Sequence, residues 1–181
     1  MLEKYLGNGF AGWVYMFKQV IRILSARVNA KIASFILTRM IGKCGKNLVA
    51  RRMPLIMYPK NVEIGKNVFI GENVSFSSEI ETSVLKIGDN VNINSNVKID
   101  FTGNVTIGKD TLISSGCAII SHDHGNNPKS KPIPKPIELA EKVWLGQDVL
   151  VLQNASSIGA SSVVGAGCIV SKSIGSQEVV V

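Results

Sequence analysis

The stretch Val62-Glu63-Ile64-Gly65-Lys66-Asn67-Val68-Phe69-Ile70-Gly71-Glu72-Asn73-Val74 says one thing twice. An aliphatic residue followed by glycine recurs after six positions, and a second branched residue, Val68 or Val74, follows each aliphatic after four. The pattern extends outward through Ile87-Gly88, Ile107-Gly108, Leu145-Gly146, Ile158-Gly159 and Val164-Gly165, with Ile93-Asn94, Ile99-Asp100, Ile113-Ser114 and Val151-Leu152 as degenerate copies. Val91, Val97, Thr111, Cys117, Val149 and Ser162 fill the second slot. A helix repeats near 3.6 residues, and a hairpin sheet alternates at two over longer runs between turn dipeptides. A period of six fits neither. It fits short flat parallel strands wound into a coil, in which no unit closes a core alone and each stacks on its neighbours. The expected fold class is therefore all-β, a parallel β-helix. The Gly, Asn or Asp after each aliphatic is expected to take the unusual backbone angles of a corner. Handedness does not follow from the period, and the general rule for crossovers favours the right hand.

The register breaks in three places. The pattern lapses between Ser77 and Lys86, two residues are inserted near Thr102-Gly103, and a segment covering residues 123–136 leaves the coil. That segment carries Pro128, Pro132, Pro134 and Pro136 among Lys129, Lys131 and Lys135, and prolines lack the donor a ladder needs. Long excursions from a rigid scaffold are where sites tend to sit.

Ahead of the repeat, Trp13, Phe17, Val20, Ile21, Leu24 and Val28 recur at three and four residue spacing opposite Lys18, Arg22, Ser25 and Asn29, which predicts an amphipathic helix from about Phe10 to Ile41, stopped by Gly42 and Gly45. The expected division is a basic helical segment over 1–50 and a repeat domain over 51–181. Charge follows the same division: residues 1–60 hold eleven Lys/Arg against Glu3 alone, so the net +7 is concentrated there. A basic helix with Trp and Phe on its apolar side suits peripheral contact with a membrane through residues 10–41, or packing against protein. Too few aromatics interleave with the charges for a nucleic-acid surface, and none is expected. The apolar stretch is broken by Lys18, Arg22, Arg27, Lys31 and Arg39, so it does not span a bilayer, and no secretory pattern precedes it. Cys44, Cys117 and Cys168 are odd in number and far apart, which gives neither a disulfide framework nor metal spacing. A cytoplasmic location is expected.

His122 and His124 are the only histidines, and they stand where the coil exits into the excursion. Imidazole titrates near neutrality, so the placement suggests a general base; the alternative is a pair of polar residues that cap the loop. Two histidines one residue apart, with no third and no cysteine pair at suitable spacing, are a poor metal shell, and no metal is expected.

The segment Ile113-Ser114-Ser115-Gly116-Cys117-Ala118-Ile119-Ile120-Ser121-His122-Asp123-His124-Gly125 is followed in order by Pro136-Ile137, Val143-Trp144-Leu145-Gly146 and Val164-Gly165-Ala166-Gly167-Cys168-Ile169-Val170-Ser171-Lys172. With these motifs, residues 62–175 resemble the hexapeptide-repeat acyltransferases, nearest to the maltose, galactoside and capsular-polysaccharide O-acetyltransferases. The resemblance implies a left-handed β-helix, acetyl-CoA as donor, a sugar or glycan acceptor, and a homotrimer with its sites between adjacent subunits. It selects His124 over His122 as catalytic base, with Asn94, Asp100 and His122 on the acceptor side. Asp100 would orient His124 or bind a sugar hydroxyl, or serve only as a turn residue. On the donor side it implies Trp144, Gly146, Gln147, Gly165, Ala166, Gly167 and Lys172. Cys117 falls on an inward position and reads as core, so direct transfer is expected.

The chain departs from the family at Leu139-Ala140, at Gln147, which would crowd the pantetheine path, and at Gln153-Asn154, where an extra residue precedes Ile158. It stops at Val179-Val180-Val181, where relatives continue into a basic segment, so truncation or a looser hold on the nucleotide end of CoA is expected. N-acetylation of an amino sugar, acetylation of serine, and a β-helical scaffold without activity are the alternatives.

Overall fold

The computed structural model describes residues 9–181; the first eight residues of the basic segment lie outside the described residues. Helix α1 (Gly9–Met40) is followed by a coil of about seven turns. Each turn contributes one short strand to each of three parallel sheets, so the domain is a three-sided prism. The first face holds β1 (Lys43–Cys44), β4 (Val62–Ile64), β7 (Leu85–Ile87), β10 (Val105–Ile107), β15 (Ile137–Leu139) and β18 (Ser157–Ile158). The second holds β2 (Val49–Ala50), β5 (Phe69–Ile70), β8 (Asn92–Ile93), β11 (Leu112–Ile113), β16 (Trp144–Leu145), β19 (Val163–Val164) and β21 (Val179–Val180). The third holds β3 (Leu55–Ile56), β6 (Ser75–Ser77), β9 (Lys98–Asp100), β12 (Ala118–Ile119), β17 (Leu150–Val151) and β20 (Ile169–Val170).

The period of six is one face per unit. Register is kept from turn to turn, with Ile64 beside Ile87 on the first face, Ile70 beside Ile93 on the second and Phe76 beside Ile99 on the third. These aliphatics and their second-slot partners, such as Val68, Val91 and Val97, form one continuous buried column. Each fully buried Ile or Leu contributes roughly 1.5–3 kcal/mol, so the column is the main source of the coil's stability. Coil strands begin at Lys43, ahead of the 51 boundary read from the repeat, because Cys44 and Ala50 stand in the slots that Ile occupies elsewhere and disguise the pattern.

The corners correct one expectation. Left-handed backbone angles occur three residues after the aliphatic, at Asn67 (φ 57), Asn73 (φ 55), Asn90 (φ 57) and Asn96 (φ 63), and not at the residue directly after it. Asn tolerates this region better than other side chains. Its amides also join turns into a ladder, Asn47 donating to Asn67 at 2.9 Å, Asn67 to Asn90 at 3.0 Å and Asn90 to Asp110 at 2.8 Å. The glycine after the aliphatic serves close stacking instead. A Cβ on Gly71 would lie 2.5 Å from the Ser95 backbone nitrogen of the next turn.

The last turns of α1 cover the open end of the column. Ala33, Leu37 and Ile41 are buried, and the Ser34 hydroxyl accepts the Ala50 N–H at 2.9 Å. The stripe of Trp13, Phe17, Val20, Ile21, Leu24 and Val28 remains exposed.

Candidate active site

All three register breaks fall on one corner, between the third face and the first, on three successive turns. The lapse after β6 carries Glu79, the insertion after β9 carries Thr102 and Gly103, and the excursion after β12 begins with Ser121-His122-Asp123. The excursion leaves as an antiparallel pair, β13 (His122–Asp123) against β14 (Ile133–Pro134), and the Lys135 N–H donating to the Ser121 carbonyl at 2.8 Å closes its mouth. Gly103 sits beneath that mouth, where a Cβ would run into the Ser121 carbonyl and the Lys135 backbone.

Asp100 is the hub. Its carboxylate accepts from the Thr102 hydroxyl at 2.9 Å, the Thr102 N–H at 3.3 Å, the Ser121 hydroxyl at 3.1 Å, the Ser121 N–H at 3.3 Å and His122 Nδ1 at 2.8 Å. The Glu79 N–H donates to the Thr102 hydroxyl oxygen at 3.0 Å, which ties the earliest break to the hub. His124 Nδ1 donates to the Ser130 carbonyl at 2.9 Å. A carboxylate and a carbonyl only accept, so both Nδ1 atoms carry hydrogen and both Nε2 atoms present lone pairs. Those Nε2 atoms are 3.2 Å apart, and Glu79 Oε1 lies 3.5 Å from each. The two lone-pair atoms face one another with the Asp100 and Glu79 carboxylates close by, which offset positive charge that develops there.

Of the residues expected on the acceptor side, Asp100 and His122 join His124 here, and Asn94 does not. Asn94 lies at the corner between the second and third faces, in a groove of about 420 Å³ lined with Ser114, Ser115, Trp144, Gly146, Gln147, Gly165 and Ala166. Most of the expected donor-side residues thus share one surface. Trp144 is half-exposed on β16 and its indole N–H donates to Ser114 Oγ at 3.2 Å, which holds the ring over the groove. Gln147 folds toward Asp148 at 3.2 Å while still lining the groove. Gly167 (φ 73) adjoins Ala166 at the turn, and Lys172 is exposed after β20, on the corner that carries the histidines and outside the groove. Cys117 is fully buried, donates to the Gly146 carbonyl at 3.0 Å, and burial raises its thiol pKa, which disfavours the thiolate a nucleophile needs. Glu79 and Thr102 are the members of the cluster that sequence reasoning missed; the register breaks that carry them were the available signal.

No family model matches the chain. It is 30% identical over 152 residues to WcaF of Escherichia coli (strain K12), named by inference as a colanic acid biosynthesis acetyltransferase, with 83% of this chain and 70% of WcaF covered. The chain belongs to the hexapeptide-repeat acetyltransferase family. WbbJ of the same organism, named by inference as a lipopolysaccharide biosynthesis O-acetyl transferase, is 36% identical over 110 residues, which cover 54% of this chain and little more than half, 56%, of WbbJ. Among solved structures, the N-acyltransferase AntD of Bacillus cereus, in complex with dTDP and 3-hydroxybutyryl-CoA, superposes with a TM-score of 0.68 at 19% identity over 80% of each chain. The hexapeptide-repeat acetyltransferase VCA0836 of Vibrio cholerae O1 biovar eltor, complexed with acetyl-CoA, gives 0.52 at 22% identity over 87% of this chain and 82% of its own. At these identities the likeness is one of fold, the left-handed parallel β-helix of the family.

Proposed function

We propose that the chain transfers acetyl from acetyl-CoA to a hydroxyl of a sugar or cell-surface polysaccharide unit, in one direct step, with the histidine pair as general base. The observation that carries this reading is the Asp100–His122 hydrogen bond of 2.8 Å at the corner built from three register breaks, in a chain of this family. A sugar hydroxyl is a poor nucleophile near neutrality, and a base within reach removes its proton as the oxygen attacks the thioester carbon. The new C–O bond forms, the tetrahedral intermediate collapses with loss of the C–S bond, and the departing thiolate takes the proton back from the imidazolium.

The resemblance selected His124 as base. The geometry favours His122 for the proton acceptor, since a carboxylate behind Nδ1 stabilises an imidazolium better than the carbonyl behind His124 does. His124 then shares the proton across the 3.2 Å between the Nε2 atoms.

The groove around Trp144 and the histidine pair lie on different corners of the prism, so a donor seated in the groove meets the base only if a second copy brings its own corner alongside. We infer a homotrimer on this ground, with acetyl-CoA against Trp144, Gly146, Gly165 and Ala166 of one copy and the histidines of the next. The polysaccharide pathways in the names of WcaF and WbbJ support a glycan acceptor. Thiol release from acetyl-CoA with neutral sugars, glycans, amino sugars and serine tests the reading. Release that depends on a hydroxyl acceptor is expected; release with amines or serine alone moves the reaction to the alternative acceptors, and no release with any acceptor leaves a scaffold.

We also infer peripheral contact of α1 with an anionic bilayer at its cytoplasmic face. Trp13 and Phe17 are 66% and 67% exposed, and on the opposite side of the helix Arg22 shares a cleft with Arg51, Arg52 and Glu72. No helix of the described residues is long and apolar enough to cross a membrane. Cosedimentation with vesicles containing phosphatidylserine, weakened in Phe17→Ala, is expected; no retention on such vesicles overturns it.

A further inference from the structure

We propose that Glu79, His122 and His124 form a binding site for one Zn²⁺ ion, and that the ion switches the base off. The three donor atoms, His122 Nε2, His124 Nε2 and Glu79 Oε1, are separated by 3.2, 3.5 and 3.5 Å. The circle through them has a radius of about 2.0 Å, and Zn–N and Zn–O bonds are roughly 2.0–2.2 Å. A cation slightly out of their plane therefore lies within bonding distance of all three donors. Bonds of about 2.1 Å set at tetrahedral angles place ligand atoms roughly 3.4 Å apart, close to the spacing observed.

The surroundings suit a metal as well as the distances do. Each ligating nitrogen is the lone-pair atom of a ring whose other nitrogen is pinned, His122 by Asp100 at 2.8 Å and His124 by the Ser130 carbonyl at 2.9 Å. Such outer partners fix the tautomer that binds metal and strengthen the ligand. Asp100 is itself held by Ser121 and Thr102, so the outer shell is rigid. Two imidazoles and one carboxylate form a nitrogen-rich set that suits zinc and not magnesium or calcium, which take oxygen ligands. Glu79 is half-exposed, so the site opens to solvent and keeps a fourth position for water or a hydroxyl. Sequence spacing gave two ligands and no third; the third arrives from two turns earlier in the coil, through the lapse after β6.

An ion bound here occupies both lone pairs that the proposed mechanism uses. The loss of transfer therefore rests on the acetyl-transfer reading, whereas the binding itself does not. Chelator-treated protein is titrated with Zn²⁺ by calorimetry and with Co²⁺ by visible absorption. One ion per chain is expected, with a Co²⁺ spectrum of tetrahedral type. Affinity falls by at least about 100-fold in His124→Ala and by roughly 10- to 100-fold in Glu79→Gln, both checked for folding by circular dichroism. No uptake by the unaltered chain overturns the site, and so does uptake that is unchanged in both variants, as thiol binding at Cys44 or Cys168 would give. In a parallel thiol-release assay, Zn²⁺ lowers transfer as it saturates the site, and chelator restores it. If the ion binds and transfer continues undiminished, the switch is overturned. If the metal-free protein shows no transfer with any acceptor, the acetyl-transfer reading fails while the binding result stands alone.

Discussion

Replacing Asp100 with asparagine separates the charge of the hub from its shape. The Oδ1 position faces the N–H groups of Thr102 and Ser121, which can only donate, besides His122 Nδ1. An amide NH₂ placed there meets two donors, so the amide oxygen takes that position and the NH₂ turns toward the Thr102 hydroxyl, which rotates to accept. His122 therefore keeps its tautomer and loses only the charge behind it. Hydrogen bonds to charged groups exceed neutral ones by about 1–1.5 kcal/mol, which predicts a kcat lower by roughly 5- to 15-fold with KM for acetyl-CoA unchanged. The opposite amide orientation reverses the tautomer and costs about 10⁴-fold, as in a catalytic triad. Asp100→Ala leaves the Thr102 and Ser121 N–H groups without partners and lowers stability by about 2–4 kcal/mol, whereas the asparagine variant melts near the parent. The assay is thiol release under steady state, paired with thermal melting. An asparagine variant with parental kcat refutes the role of the carboxylate, and one as unstable as the alanine variant refutes the orientation argued from the two N–H groups.

Gly71→Ala drives a Cβ to 2.5 Å from the Ser95 nitrogen and spreads two turns, so its melting temperature falls well below that of Gly167→Ala, which meets no atom within 4 Å and pays only the left-handed φ, about 1 kcal/mol. Cys117 resists iodoacetamide in the native protein at neutral pH, since it is fully buried and burial raises its pKa; burial also raises the Cys44 thiol, so mass spectrometry locates any label on the partly exposed Cys168 first. Trp144→Ala raises KM for acetyl-CoA by roughly 10-fold with a smaller change in kcat, because the ring lines the groove and makes no contact with the histidine cluster of its own chain.

The coil was legible because the period of six is a direct image of one face per unit, and the buried column from Ile64 to Val170 follows it residue by residue. The reason for the glycines was misread. Nothing in the text separates a residue that bends the chain from one that lets the next turn approach, and only stacking shows Gly71 to be the latter and Asn73 the former. The site was half legible. His122, His124 and Asp100 carry chemistry that stands out, and the residues expected on the donor side, apart from Gly167 and Lys172, share a groove, but the three register breaks read as separate irregularities. Their alignment on one corner depends on the number of residues per turn between them, which is why Glu79 and Thr102 came to light only in the fold. Asn94 separates from His124 for the same reason: it follows a strand of the second face, and the histidines follow one of the third.

Acceptor-dependent thiol release from acetyl-CoA, measured side by side for the unaltered chain, His122→Ala and His124→Ala, bears most directly on the transfer chemistry. A loss of roughly 10²- to 10⁴-fold in kcat is predicted for His122→Ala, with a smaller loss for His124→Ala. Turnover in His122→Ala equal to that of the unaltered chain would contradict it.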